Sequence, residues 1–229
     1  MAFLRVFGKS LISIGFGVLL FVVWALWGTG FYTAKQQNRL EREFASQPDF
    51  VQPAVHHKGG GSSPYRRPPI GWVDSLKPGD AVFRIRIPKI NLNEGKGFMV
   101  VEGVGEEELK AGPGHYPACD PDRGFVPPLC TSFPEAWPGE KGRVVVSGHR
   151  TTFLAPFWAI NELNKGDKIF IDTHWGDFTY VVTDQRAVLP TDTSIVREDN
   201  DDAELVLTTC NPRFSASQRL VTFATMETD

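Results

Sequence analysis

The chain has 229 residues, of which 41% are hydrophobic and 22% charged, and its formal net charge is −3. That length allows one or two domains, and the composition is that of a folded globular chain rather than a disordered one. The first 45 residues hold five basic groups and two acidic ones, so the remainder is mildly acidic. It lacks the basic footprint of a nucleic-acid surface, and no nucleic-acid partner is expected.

In chain order, the first element is an uncharged stretch, LISIGFGVLLFVVWALWGTGFY, over residues 11–32. Its twenty-two residues would extend about 33 Å as a helix, enough for a hydrocarbon core of about 30 Å. Trp24, Trp27 and Tyr32 lie towards one end, where aromatic rings favour the membrane interface. A cleaved signal peptide would have a shorter apolar core and a small-residue exit, whereas this exit is bulky. A retained anchor is therefore expected, with a buried core helix as the alternative. Arg5 and Lys9 precede the span while Lys35, Arg39 and Arg42 follow it, so charge alone does not orient it.

After the span, TAKQQNRLEREFASQ reads as a polar helical stub. The following PDFVQPAVHHKGGGSSPYRRPP is a Gly-, Pro- and Ser-rich linker that cannot bury enough surface to order itself. It contains His56 and His57, a pair with no further metal ligand nearby in sequence, read as solvated. The expected organisation is a tail over 1–10, a transmembrane anchor over 11–32, stub and linker over 33–69, and a folded domain over 70–229. Within that domain, alternation marks strands in AVFRIRIPKI, KGFMVVEGVG and GRVVVSGHR, and a hairpin in DKIFIDTHWGDFTYVV. ELVLTTC and QRLVTFATM bring the total to seven or eight strands. GEEELKAG and APFWAINELNKG have helical character. Many closely spaced strands point to a barrel or sandwich.

There are three cysteines, Cys119, Cys130 and Cys210. The economical arrangement pairs Cys119 with Cys130 and leaves Cys210 free; the alternative is two unpaired loop thiols. An oxidising exterior would permit the bond. Ten residues between the first two is not a zinc spacing, so no metal site and no cofactor are expected.

His149 follows the strand GRVVVSG, Cys210 ends the strand ELVLTTC, and Arg219 opens the next strand. A thiol with an ordinary pKa near 8.5 is a weak nucleophile at neutral pH and needs a base or cation beside it. Three strand ends can bring an imidazole, a thiol and a guanidinium to one rim, where the guanidinium can steady an oxyanion. The plainer alternatives are a buried cysteine and a solvated arginine.

The order SGHR, LVLTTC, QRLV resembles the sortases, cysteine transpeptidases of Gram-positive bacteria. RIPKI, VVEGVGEEELKAGPGHYP, GHRTTFLAPFWAINEL, GDKIFIDTHWGDFTYVV, PTD and LTTCNPRFSASQRLV are similar to the class E sortases, over roughly Pro78 to Ala224. The resemblance implies a closed β-barrel of about eight strands with short helices, behind one transmembrane helix, with the domain outside the cell. It implies that Cys210 attacks the Thr–Gly carbonyl of a C-terminal sorting signal on a secreted protein, Leu-Ala-x-Thr-Gly or Leu-Pro-x-Thr-Gly. His149 then protonates the leaving amine, Arg219 completes the triad, and a peptidoglycan-precursor amine resolves the thioacyl-enzyme. It further implies that Thr209 borders the substrate groove and that Tyr116 bears on the signal preference. ACDPDRGFVPPLCTSFPEAW, with Cys119 and Cys130, departs from the class E pattern and either borders the groove or decorates it.

His115, His174 and the acidic EDNDDAE stretch are read as structural or solvated. The alternatives are a pilus-polymerising sortase with a lysine acceptor and an inert membrane-tethered binding module. L,D-transpeptidases keep their Cys and His close in sequence, unlike Cys210 and His149.

Overall fold

The structure, a computed structural model, describes residues 2–24, 28–50, 66–196 and 202–228. Trp27, His56, His57 and most of the linker and of the EDNDDAE stretch lie outside these. Helix α1 (Ala2–Val23) carries the apolar run, and its candidate span Arg5–Val23 has a mean hydropathy of 2.2 with none of it buried against the other described residues.

Helix α2 (Thr29–Ser46) takes the last residues of the expected span and continues through the expected stub. It is docked on the barrel. Leu40 is fully buried with Ala81, Met99, Val101 and Ala111, and Phe44 packs against them. Polar side chains finish the contact. Gln37 donates through Nε2 to the carbonyls of Met99 and Ala111, and its Oε1 accepts from the Met99 N–H at 2.8 Å. Gln37 thereby does for strand β2 (Phe98–Glu102) what a neighbouring strand would do.

A short helix α3 (Ile70–Ser75) leads into strand β1 (Ala81–Arg86). Helix α4 (Glu106–Ala111) and the two-residue β3 (Gly114–His115) follow β2. The remaining strands are β4 (Gly142–Ser147), β5 (Lys168–Thr173), β6 (Gly176–Val188), β7 (Ala203–Asn211) and β8 (Gln218–Met226). They close in the order β1-β2-β3-β4-β7-β8-β6-β5. The β4–β7 and β2–β3 pairings are parallel, and the others antiparallel.

Period-2 alternation fills the barrel. Val144, Val146, Leu205, Leu207, Ile169, Ile171 and Tyr180 point inward into one core with Phe83, Ile85 and Phe157. The opposite faces of β4, β7 and β8 carry Val145, Val206, Val221 and Phe223, which form a second apolar cluster.

APFWAINELNKG, expected to be helical, forms turns with only a short 3₁₀ segment, Ile160–Glu162. Phe157, Ile160 and Leu163 are its buried apolar residues. That spacing of three suits 3₁₀ geometry.

Candidate active site

The groove lies on the outer face of β4, β7 and β8, where the same alternation continues to the strand ends. Ser147 is paired with Thr208, Thr208 with Val221, and Cys210 with Arg219. Thr208 and Cys210 therefore share a face with Val206, and Arg219 stands directly across from Cys210. His149 lies two residues beyond Ser147. Ser147, His149, Thr208, Cys210 and Arg219 line one groove of about 340 Å³, with Tyr116, Leu129 and Ile195 on its walls.

Gly148 makes the turn to His149 possible. A Cβ there would lie 2.7 Å from the Phe157 ring, so a larger residue would push the loop off the core. The Gly148 N–H donates to the Thr208 carbonyl, and the Thr209 hydroxyl donates to the Gly148 carbonyl at 2.7 Å. These two bonds lock the His149 loop to the strand that carries Cys210.

The His149 ring lies against Phe153, with centroids 4.9 Å apart. Its Nε2 is buried and has no hydrogen-bond partner among the described residues. Burial lowers its pKa, an effect that Glu106 opposes. The neutral imidazole is therefore favoured, with Nε2 free to take or hold a proton.

Cys210 is the free cysteine and is partly exposed. Its carbonyl accepts from Arg150 at 3.1 Å; Arg150 also donates to Asn211 Oδ1 at 2.6 Å and Asn161 Oδ1 at 3.0 Å. This buried arginine clamps the end of β7, a role that a charged residue after SGH does not announce. The Arg219 guanidinium donates to the carbonyls of Ala216 and Gln218 at 3.2 Å, so it is held by its own hairpin loop.

Thr209 lines the groove with its hydroxyl already committed to Gly148. Thr208, which sequence reasoning passed over, is 6% exposed, and its Oγ1 has no partner among the described residues. Period-2 counting back from Cys210 is the signal that finds it.

Cys119 and Cys130 are disulfide-bonded, with Cα atoms 4.9 Å apart. The inserted segment reaches the groove: Leu129 lines it, and the Tyr116 hydroxyl donates to the Pro128 carbonyl at 2.9 Å. Burial raises the Tyr116 pKa, which keeps that donor protonated.

Glu102, His115 and Glu135 place potential metal-ligand atoms within 4.8 Å of one another. Arg123 takes the place of a cation there, 3.2 Å from Glu102 and 3.3 Å from Glu135. His115 is consumed by Glu102 at 2.8 Å and the Ala136 carbonyl at 3.1 Å. His174 is likewise consumed by Asp49 and the Phe44 carbonyl, both at 2.9 Å.

The arrangement can form and release a thioester: a partly exposed cysteine, an imidazole nitrogen without a partner among the described residues, and a guanidinium across from the thiol, all on one groove.

Comparison with known proteins gives this chemistry a family. The Sortase domain family profile matches residues 85–227. Sortase D of Bacillus subtilis is 35% identical over 140 residues, 60% of this chain and 59% of that protein. Sortase SrtE1 of Streptomyces coelicolor is 26% identical over 235 residues, 97% of this chain and 56% of that protein. The chain thus spans under three fifths of the length of these curated relatives. The structure of sortase E from Streptomyces avermitilis superposes with a TM-score of 0.53 at 29% identity, covering 66% of this chain and 91% of that one. The class E likeness read from the motifs is matched by the SrtE1 and sortase E relatives, and the chain belongs to the sortase family.

Proposed function

We propose that this protein is a membrane-anchored cysteine transpeptidase of class E type. The observation that carries the reading is the register of Cys210 against Arg219, with the unpartnered His149 Nε2 on the same groove. A sorting-signal peptide lies along Val145, Thr208 and Cys210. His149 takes the thiol proton as the sulfur attacks the Thr carbonyl carbon. Arg219 leaves its hairpin carbonyls for the developing oxyanion. His149 then passes its proton to the departing glycine amine, and the C–N bond breaks to leave a thioester on Cys210. An incoming amine, deprotonated by His149, attacks that thioester and restores the thiol.

The signal is Leu-Ala-x-Thr-Gly or Leu-Pro-x-Thr-Gly on a secreted protein, with Tyr116 and Leu129 on the wall that reads it. The acceptor is a peptidoglycan-precursor amine. Helix α1 spans the membrane with the N-terminus inside and the barrel outside, where a Cys119–Cys130 bond is stable. The test is incubation with both peptides and a small amine, with products followed by mass spectrometry. Amine-capped peptide ending at Thr is the expected product. Cleavage at another bond, or no turnover of either peptide, would overturn the assignment.

Burial of His149 sets the pH dependence. The neutral imidazole is needed to take the thiol proton, so activity falls as pH drops through its pKa. That pKa is depressed, so the acid limb of kcat/KM should lie below the ordinary histidine value of 6.5. Phe153→Ala, which uncovers the ring, should move the limb upward. A limb above pH 7 in the wild type would contradict this role.

Thr208 supplies a hydrogen bond to substrate backbone. Thr208→Val should raise KM about 3- to 10-fold, the worth of one such bond, and leave stability unchanged because the hydroxyl has no partner to lose. Thr209→Val, which breaks the bond to Gly148, should instead lower stability by about 1 kcal/mol. Equal KM values for wild type and Thr208→Val would remove Thr208 from the binding surface.

A further inference from the structure

We propose that Phe31, Leu154, Trp158 and Phe214 form a docking rim for the lipid surface, so that the groove opens at the bilayer rather than away from it. The inference rests on the reading of α1 as a membrane span.

These four side chains are large, apolar and exposed, at 80%, 42%, 41% and 74% respectively. They are contiguous. Phe31 and Leu154 line one apolar hollow of about 450 Å³ with Gly30 and Ala34. Leu154 and Trp158 line the next depression. The Trp158 and Phe214 rings meet edge-on at 5.9 Å. The backbone is held in an unfavourable conformation to present them: Phe153, Leu154, Ala155 and Phe214 have φ of 53°, 61°, 44° and 65°, and none is glycine. Non-glycine residues persist in this region where surrounding structure imposes it, and they cluster at functional surfaces.

Chain connectivity supplies the occupant. The Phe153 N–H donates to Thr29 Oγ1 at 3.5 Å, and Gly30 abuts Leu154. Thr29 is the first residue of α2, and only residues 24–28 separate it from the end of α1 at Val23. Even fully extended, that connection reaches about 20 Å, so the rim cannot leave the neighbourhood of the bilayer surface. From there α2 runs along the barrel for 18 residues, about 27 Å, to Phe44 and the His174 end. One end of the barrel is therefore at the membrane and the other is not. The membrane end is the one that carries His149, Cys210 and Arg219.

The rim chemistry fits an interface. Arg213 stacks over Trp158 at 4.3 Å, and Lys35 lies one turn beyond Phe31. Aromatic rings bounded by basic groups suit the boundary between acyl chains and phosphate headgroups.

The test uses the full chain with Cys210→Ala, reconstituted in phosphatidylcholine–phosphatidylglycerol vesicles. An environment-sensitive fluorophore is placed on single cysteines made as Leu154→Cys, Phe214→Cys, Asp177→Cys at the opposite end of the barrel, and Ile12→Cys within α1. Nitroxide lipids are the quenchers. Quenching by headgroup nitroxides is expected to be about threefold or more stronger at 154 and 214 than at 177, with blue-shifted emission, as for rings at the interface. Equal quenching at 154, 214 and 177, with Ile12→Cys quenched by acyl-chain nitroxides, would overturn the rim while keeping the anchor. No quenching at position 12 would overturn the anchor and the rim together. A blue shift without lipid quenching that grows with protein density would assign the rim to contact between copies and overturn the proposal.

Discussion

Replacing Cys210 with alanine should abolish transpeptidation while leaving the fold intact. The side chain is partly exposed at the end of β7. The bonds that set its position, from Arg150 to its carbonyl and from Thr209 to Gly148, do not involve the sulfur. Thermal unfolding should therefore be unchanged within about 0.5 kcal/mol, the usual range for a substitution away from the core. Without the thiol no covalent intermediate forms, and the remaining groove only binds peptide. His149→Ala should cost about 10²- to 10⁴-fold in kcat/KM, the ordinary worth of a positioned acid–base. Arg219→Ala should cost about 10²- to 10³-fold, as for a lost oxyanion donor. Combining Arg219→Ala with Cys210→Ala should cost nothing further. The measurement is steady-state transfer of a labelled peptide to an amine. Residual turnover by Cys210→Ala above the uncatalysed rate would place the nucleophile elsewhere.

The second large effect is on stability. Glu102 is fully buried at the end of β2, paired in register with His115 on β3. Arg123 reaches it from the disulfide-closed segment and also holds Glu135 and the Leu76 carbonyl. Glu102→Gln preserves the shape and removes the charge that both neighbours face. Breaking a buried ion pair on one side costs about 3–5 kcal/mol. The penalty depends on pH. Burial pushes Glu102 up to about 7, against the pull of His115. A carboxyl raised in the fold favours the folded state at low pH and loses that contribution as pH rises towards 7, whereas glutamine has no such term. The penalty of Glu102→Gln should therefore be larger at pH 5.5 than at pH 8. Arg123 anchors the segment that presents Leu129, and Tyr116 follows His115, so KM should rise as well. Thermal unfolding of the oxidised protein at the two pH values is the check. A loss under about 1 kcal/mol at both pH values would mean that the network is neutral overall, as buried ion pairs sometimes are.

The strands were legible because both faces of this barrel keep period 2: Leu205 and Leu207 inward, Val206, Thr208 and Cys210 outward. The meeting of the three strand ends followed from the order of strands and chain chemistry. β3 was not legible, since two residues, Gly114 and His115, carry no periodicity. The docking of α2 was hidden for a different reason. Its contact depends on Gln37 and Thr33 bonding to backbone carbonyls, and polar side chains in a polar helix read as solvated. Arg150 and Arg219 show the same limit from both directions. One arginine is buried and clamps a strand, the other waits on its own loop, and spacing alone does not distinguish them.

The most direct measurement is intact mass of the full chain, in detergent, mixed briefly with Leu-Ala-x-Thr-Gly peptide without an acceptor amine. The expected result is a single adduct on Cys210, equal to the peptide truncated after Thr, that disappears when an amine is added. Absence of any adduct with this peptide and with Leu-Pro-x-Thr-Gly, or an adduct that survives Cys210→Ala, would contradict a thioacyl mechanism at this cysteine.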